Sequence, residues 1–303
     1  MTEITERKTP KEIQQKILEV LNDKPLNALE ISKAIGSNWS TVKNYIADLI
    51  EEKKVKEIAF NGQVIYQKIT EDTYFNIPIT KEERELFYFL FNNARRLFKE
   101  QEREATKTDI NKAIVKVIDN FNLQVPTVWY LYGKMALLKY EPEKEYVITI
   151  IPENKKEILK QLSEVVKEIS QKKNSHQVRE QQYIYYNQEF YQLKENIYQI
   201  LFYGNLNEEK KKEKLKELLS HFIISLPYNE NYASISELLY NFNLLLKKMS
   251  FFKNLEEYRK QILDSFDSIW KIIAVRSFFE SLSNYPRFKG KQELWSFYFE
   301  NAL

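Results

Sequence analysis

The stretch Ile31-Ser-Lys-Ala-Ile-Gly-Ser-Asn-Trp-Ser-Thr-Val-Lys-Asn-Tyr-Ile-Ala-Asp-Leu49 decides how this chain is read. Ile31 and Ile35 lie one helical turn apart, and Gly36 then interrupts the pattern at a residue free to take a positive φ. Ser37 or Asn38 offers an N-cap oxygen, and Val42, Ile46 and Leu49 resume the stripe at i, i+4, i+7. Two short amphipathic helices joined by a tight turn are the prediction, a helix-turn-helix. The second helix then carries Asn38, Trp39, Ser40, Thr41, Lys43 and Asn44 at its exposed N-terminal half.

The flanks extend the unit. Thr9-Pro10 places an N-cap oxygen and a first-turn proline before Ile13, Ile17, Leu18, Val20 and Leu21. Asn22-Asp-Lys-Pro25 ends that helix, and Leu29, Ile31 and Ile35 mark the inner face of the next. Downstream, Val55–Phe60 and Gln63–Ile69 are β-rich runs separated by Asn61-Gly62, a strong hairpin signal. Three helices followed by a hairpin, over residues 8–70, resemble the winged helix-turn-helix domain of bacterial and archaeal transcription regulators. The resemblance rests on the order of elements more than on any one residue.

That resemblance implies that the third helix, residues 37–52, enters the major groove of double-stranded DNA. Asn44 would pair with adenine, and Ser40 and Lys43 would bond base edges or phosphates. Lys53, Lys54 and Lys56 lead into the wing, and Asn61 and Gly62 form its tip beside a phosphate backbone or a minor groove. Trp39 has two readings, packing over the second helix or contact with DNA. For the lysines the alternative is an ordinary solvated face, and for Asn61-Gly62 a plain turn.

Charge gives partial support. The chain holds 46 basic and 43 acidic residues, a net of +3, and residues 1–70 hold 11 against 10. A strongly basic DNA-binding domain would exceed that. Between residues 31 and 46, however, Lys33 and Lys43 stand without a single acid. So few phosphate contacts give weak binding at physiological salt, which argues for a homodimer presenting two such helices.

Residues 71–151 read as a second, winged-helix-like or dimerisation module. Thr80-Lys-Glu-Glu83 fits a capping box before Leu86, Phe87, Phe89, Leu90, Phe91, Leu97 and Phe98. Ile110-Asn-Lys-Ala-Ile114 then repeats Ile31-Ser-Lys-Ala-Ile35 with one change. Val125–Gly133 is expected to be a short helix, followed by strands at 134–140 and 146–151. Aromatics dominate that helix and glutamates the expected turn at 141–145, so packing or dimerisation suits the module better than DNA contact. Arg95, Lys99 and Arg103 would share a helix face, touching phosphates or pairing with Glu100, Glu102 and Glu104.

From residue 152 to 303 helical periodicity dominates. Helices are expected near 153–173, 177–203, 208–225, 231–249, 254–271, 272–283 and 290–301, with the division at 271/272 open to one longer helix. This half is read as an all-α dimerisation or effector domain, with small-molecule or protein effectors as candidate partners. Its tyrosines and phenylalanines suit a bundle core, or else an interface or pocket rim. The fold class is therefore mainly α with small β-wings: an N-terminal winged helix, a second winged-helix-like module and a C-terminal helical domain.

Several chemistries find no residues to carry them. The chain has no cysteine, and His176 and His221 are its only histidines. Five glycines leave no phosphate loop or dinucleotide fingerprint. No run suits a membrane span or a signal-peptide core. The expectation is a cytoplasmic, non-enzymatic DNA-binding regulator without cofactor or metal. Its winged helix plus all-α domain also resembles regulators of the GntR/FadR kind, without the histidines of their metal-binding members. A tandem arrangement alternatively resembles plasmid replication initiators or kleisin-associated chromosome-segregation scaffolds.

Overall fold

Thr9 opens the first helix, α1 (Pro10–Val20), with a reciprocal capping box. Its hydroxyl accepts from the Glu12 amide at 3.3 Å, and the Glu12 carboxylate accepts from the Thr9 amide at 2.7 Å. The same device, built from Asn27 and Glu30, opens α2 (Ala28–Ile35). Gly36 ends α2 at φ 61° and ψ 45°, and Asn38 caps α3 (Trp39–Glu51). Strands β1 (Val55–Phe60) and β2 (Gln63–Lys68) pair antiparallel, with Ile58 opposite Ile65 and Glu57 opposite Tyr66. Leu26 exchanges two backbone hydrogen bonds with Tyr66, tying the start of α2 to β2.

The computed structural model describes residues 9–21, 25–60, 63–69, 73, 77, 79–141, 143–203, 208–249 and 255–288. The expected turn at Asn61 and Gly62, the helix end at 22–24 and the helix at 290–301 lie outside the described residues.

The first unit has a core of its own, centred on Ile17, Leu21, Ile31, Val42, Ile46 and Leu49. Leu29 is a correction: it stands 52 % exposed. Ala28, Ile31, Ser32 and Ile35 form the buried face at i, i+3, i+4, i+7, which turns Leu29 outward. The hairpin buries both faces. Val55 and Tyr66 pack on the helices, while Ile58, Ile65 and Gln67, on the opposite face, are buried as well.

The rest of the described chain is helical around one further hairpin. Helices α4 (Lys81–Glu100) and α5 (Lys107–Asn120) each open with a capping box, from Thr80 and Glu83 and from Thr106 and Asp109. Strands β3 (Thr127–Tyr130) and β4 (Gly133–Ala136) follow, then α6 (Lys155–Ser170), α7 (Ser175–Tyr185), α8 (Glu189–Tyr203) and α9 (Glu208–Ser225). Helices α10 (Glu230–Met249) and α11 (Leu255–Ser283) and a 3-10 turn at Pro286–Phe288 complete it. Among the described residues the protein is mainly helical with two small antiparallel sheets. None of these helices is long and apolar enough to cross a membrane.

Three expectations are corrected here. Val125–Gly133 is not a helix: Thr127–Tyr130 is a strand, paired from Thr127 opposite Ala136 to Tyr130 opposite Gly133. β-Branched and aromatic residues favour that conformation, and the end of α11 and the residues just past it secure it: the Trp129 amide donates to Ser281 Oγ at 3.0 Å and the Thr127 amide to Tyr285 Oη at 2.7 Å. Residues 146–151 form no strand, and side chains take up part of their backbone hydrogen bonding. Asn92 bonds Tyr146, and the Glu85 carboxylate accepts from the Thr149 and Ile150 amides, both at 2.7 Å. Finally, the expected helix at 177–203 breaks at Tyr186-Asn187-Gln188, where Asn187 takes φ 52°. Helix α11 runs unbroken through 271/272.

Packing is continuous across residue 151. One core joins α4 and α5 to α6 through Phe91, Ile114, Leu162 and Val166, and to the C-terminal part of α11 through Phe278. A second core, around Tyr191, Phe222, Phe266 and Trp270, unites α8 to α11. The β3–β4 hairpin touches both through Tyr130.

Candidate nucleic-acid interface

The positive φ at Gly36 lets the chain turn from α2 into α3 within three residues, and Trp39 and Ser40 at the start of α3 are exposed. Asn38 Oδ1 accepts from the Ser40 amide and from Ser40 Oγ, both at 2.9 Å. The cap fixes both side chains and leaves the Asn38 amide nitrogen outward as a donor. Trp39 is 48 % exposed and is not part of the core of this unit. Lys43 Nζ lies 4.9 Å from the centre of its ring, a cation–π contact that holds both side chains along the helix. Thr41 is half-buried. Asn44 is exposed, and among the described residues no group bonds its amide. It keeps a donor and an acceptor side by side, the pair that complements an adenine edge.

Buried Val42, Ile46 and Leu49 hold the other face of α3, so Ser40, Lys43, Asn44 and Ala47 form one exposed row. The acids Asp48, Glu51 and Glu52 lie beyond this row toward the C-terminal end.

The lysines expected to flank the row differ in their freedom. Lys53 ends α3 in the left-handed region at φ 55° and is exposed. Lys54 pairs with Glu52 at 2.6 Å. Lys56 is half-buried on the hairpin face shared with Ile58 and Gln67, and burial pushes its ammonium below the ordinary lysine range. The structure therefore brings Asn38, Trp39, Ser40, Lys43 and Asn44 together and leaves Lys54 and Lys56 engaged elsewhere.

Two arginines of α4 are engaged too, while Lys99 is exposed. Arg96 pairs with Glu100 at 2.7 Å, and Arg95 donates to the Lys144 carbonyl at 3.0 Å. Arg103 lies beyond the helix, on Asp109 at 3.1 Å and on the carbonyls of Ser170 and Lys172 at 3.2 and 2.6 Å.

Sequence reasoning missed a cluster of buried cations around the tip of the β3–β4 hairpin. Lys112 Nζ donates to the carbonyls of Tyr132 and Lys134 at 2.9 and 2.7 Å. Lys194 lies 5.0 Å from the Trp270 ring centre and pairs with Glu195 at 2.9 Å, and Trp270 Nε1 donates to the Leu131 carbonyl at 3.2 Å. Arg179 approaches the same Glu195 carboxylate at 3.4 Å. A lysine reads as surface in a sequence; only the apolar neighbours of Lys112, Ile110, Ala113, Ile114 and Val115, hint at its burial.

No protein-family model, curated protein or solved structure matches this chain.

Proposed function

We propose that this protein is a sequence-specific double-stranded DNA-binding regulator whose first unit acts as a winged helix, with α3 in the major groove. The observation that carries this reading is the exposed, acid-free row at the start of α3, with Lys43 laid along Trp39 and both ends of the Asn44 amide unoccupied. Phosphates would fix the orientation of the helix, and Asn38 through Asn44 would read base edges. With Lys54 and Lys56 engaged, one copy makes few phosphate contacts, and useful affinity requires a dimer whose two α3 helices lie about one DNA turn, or a multiple of it, apart. In this reading the protein works on DNA in the cytoplasm, without cofactor or catalytic step, and the helical part serves pairing and effector response.

The replication-initiator and segregation-scaffold alternative requires a second recognition helix, and residues 127–136 form a hairpin in its place. No observation favours it over the regulator.

The test is a selection of bound duplexes from random DNA, followed by anisotropy titrations at two salt concentrations with wild type and the K43A/N44A variant. Loss of one bidentate base contact is worth about 1–3 kcal/mol, so the variant should bind its selected site about tenfold or more weakly. Its salt slope should fall by about one, and its melting temperature should not move. Equal binding by the variant would remove α3 from the groove.

A further inference from the structure

A cleft of about 470 Å3 opens where the N-terminal half of α5 meets the β3–β4 hairpin. It is separate from the α3 row, and its volume lies within the range of small-molecule sites. On one wall stand Lys107, Thr108, Asn111 and Lys112, successive positions on one face of α5. Tyr130, Met135 and Tyr140 supply an apolar wall, and Lys139 stands at its end.

Among the described residues, Lys112, Asn111 and Thr108 bring more donors to this cleft than the protein gives them acceptors. Lys112 is 7 % exposed, and two of its three ammonium hydrogens go to the carbonyls of Tyr132 and Lys134. Among the described residues the third meets no acceptor. Asn111 is 8 % exposed; its Oδ1 accepts from the Ala136 amide at 3.3 Å, and among the described residues its amide nitrogen has no acceptor. Among the described residues nothing bonds the Thr108 hydroxyl either. Among the described residues, no carboxylate lines the cleft. Asp109, next along the helix, is fully buried on the opposite side against Arg103 and the Thr106 amide. Burial, then Arg179 and Lys194, hold the Lys112 ammonium well below its ordinary range, and an arriving negative charge would relieve that strain.

We propose that this cleft binds a small organic anion with a flat apolar body, its charged end on Lys112, Asn111 and Thr108 and its body against Tyr130, Met135 and Tyr140. Lys107 and Lys139 would draw the anion in from the rim. An aromatic carboxylate and a nucleoside monophosphate share this chemistry. Lysine ammonium groups serve either as point charges, without the planar fork that arginine would supply.

Calorimetric titration of the full chain, with no DNA present, separates them. Indole-3-carboxylate and adenosine 5′-monophosphate are the organic probes, and inorganic phosphate is the anion without a body. One organic probe should bind in the micromolar range, with inorganic phosphate roughly tenfold weaker or more. K107A/K139A and, separately, T108V should each weaken that probe by roughly fivefold or more while leaving the melting temperature in place. The inference is overturned if neither organic probe binds at millimolar concentration, if inorganic phosphate binds as tightly as both, or if both variants bind like wild type. Because DNA takes no part in this titration, its failure leaves the α3 reading standing, and failure of the DNA selection leaves the cleft standing.

Discussion

Glu85 shows how one side chain can replace a strand partner. Its carboxylate accepts from the Thr149 hydroxyl and from the Thr149 and Ile150 amides, in a segment, residues 146–151, that forms no strand. The Thr149 hydroxyl first, then the two amides and Lys81, outweigh burial and bring the Glu85 carboxyl from the ordinary 4.5 to about 2. A depressed carboxylate stabilises the folded state fully above its unfolded pKa, and that stability fades as pH falls toward the folded value. Wild type should therefore lose stability between about pH 5 and pH 2, and E85Q should show a flatter dependence over the same window. Urea unfolding at stepped pH measures this; equal slopes would mean that the carboxylate does not hold the segment. The residues that escaped sequence reading are of this kind. Glu85 and Lys112 look like surface charges until the fold brings Thr149, Tyr132 and Lys134 against them.

At the scale of elements, the β3–β4 hairpin is clamped at its tip. Gly133 takes φ 97°, and a Cβ there would stand 2.5 Å from Gln182 Oε1 and 2.8 Å from Tyr183 Cε1. Backbone strain and overpacking would act together, so G133A should lose at least about 2 kcal/mol of unfolding free energy. Denaturant titration gives the value, and a loss under about 0.5 kcal/mol would show a tip free to yield. Element boundaries were legible wherever the signal was local. Thr9 with Glu12, Thr80 with Glu83 and the left-handed Gly36 mark helix ends through bonds made within a few residues. Thr127–Tyr130 was not legible, because the groups that secure it, Ser281 and Tyr285, lie more than 150 residues away. The α3 row was legible in composition; that Lys54 and Lys56 are drawn away from it was not.

For the whole molecule, the separate core of residues 9–69 has an energetic consequence. A unit of that size buries a smaller fraction of its surface than residues 79–288 do, and its stability is correspondingly lower. Native-state hydrogen exchange in low denaturant should show α1 to α3 opening at a lower free energy than α4, α5 and α11. One shared opening energy would mean that the units unfold together. The remaining part must close over a long interval of chain. Thr127 bonds Tyr285, 158 residues later, and at about 5–20 residues per second of synthesis that partner emerges on the order of ten seconds after the strand. During that time the aromatic strand Thr127–Tyr130 has left the ribosome without the helix that will cover it. The finished hairpin is thus a late event in the life of each chain, and the nascent protein is most exposed to mispairing just before α11 and Tyr285 are made.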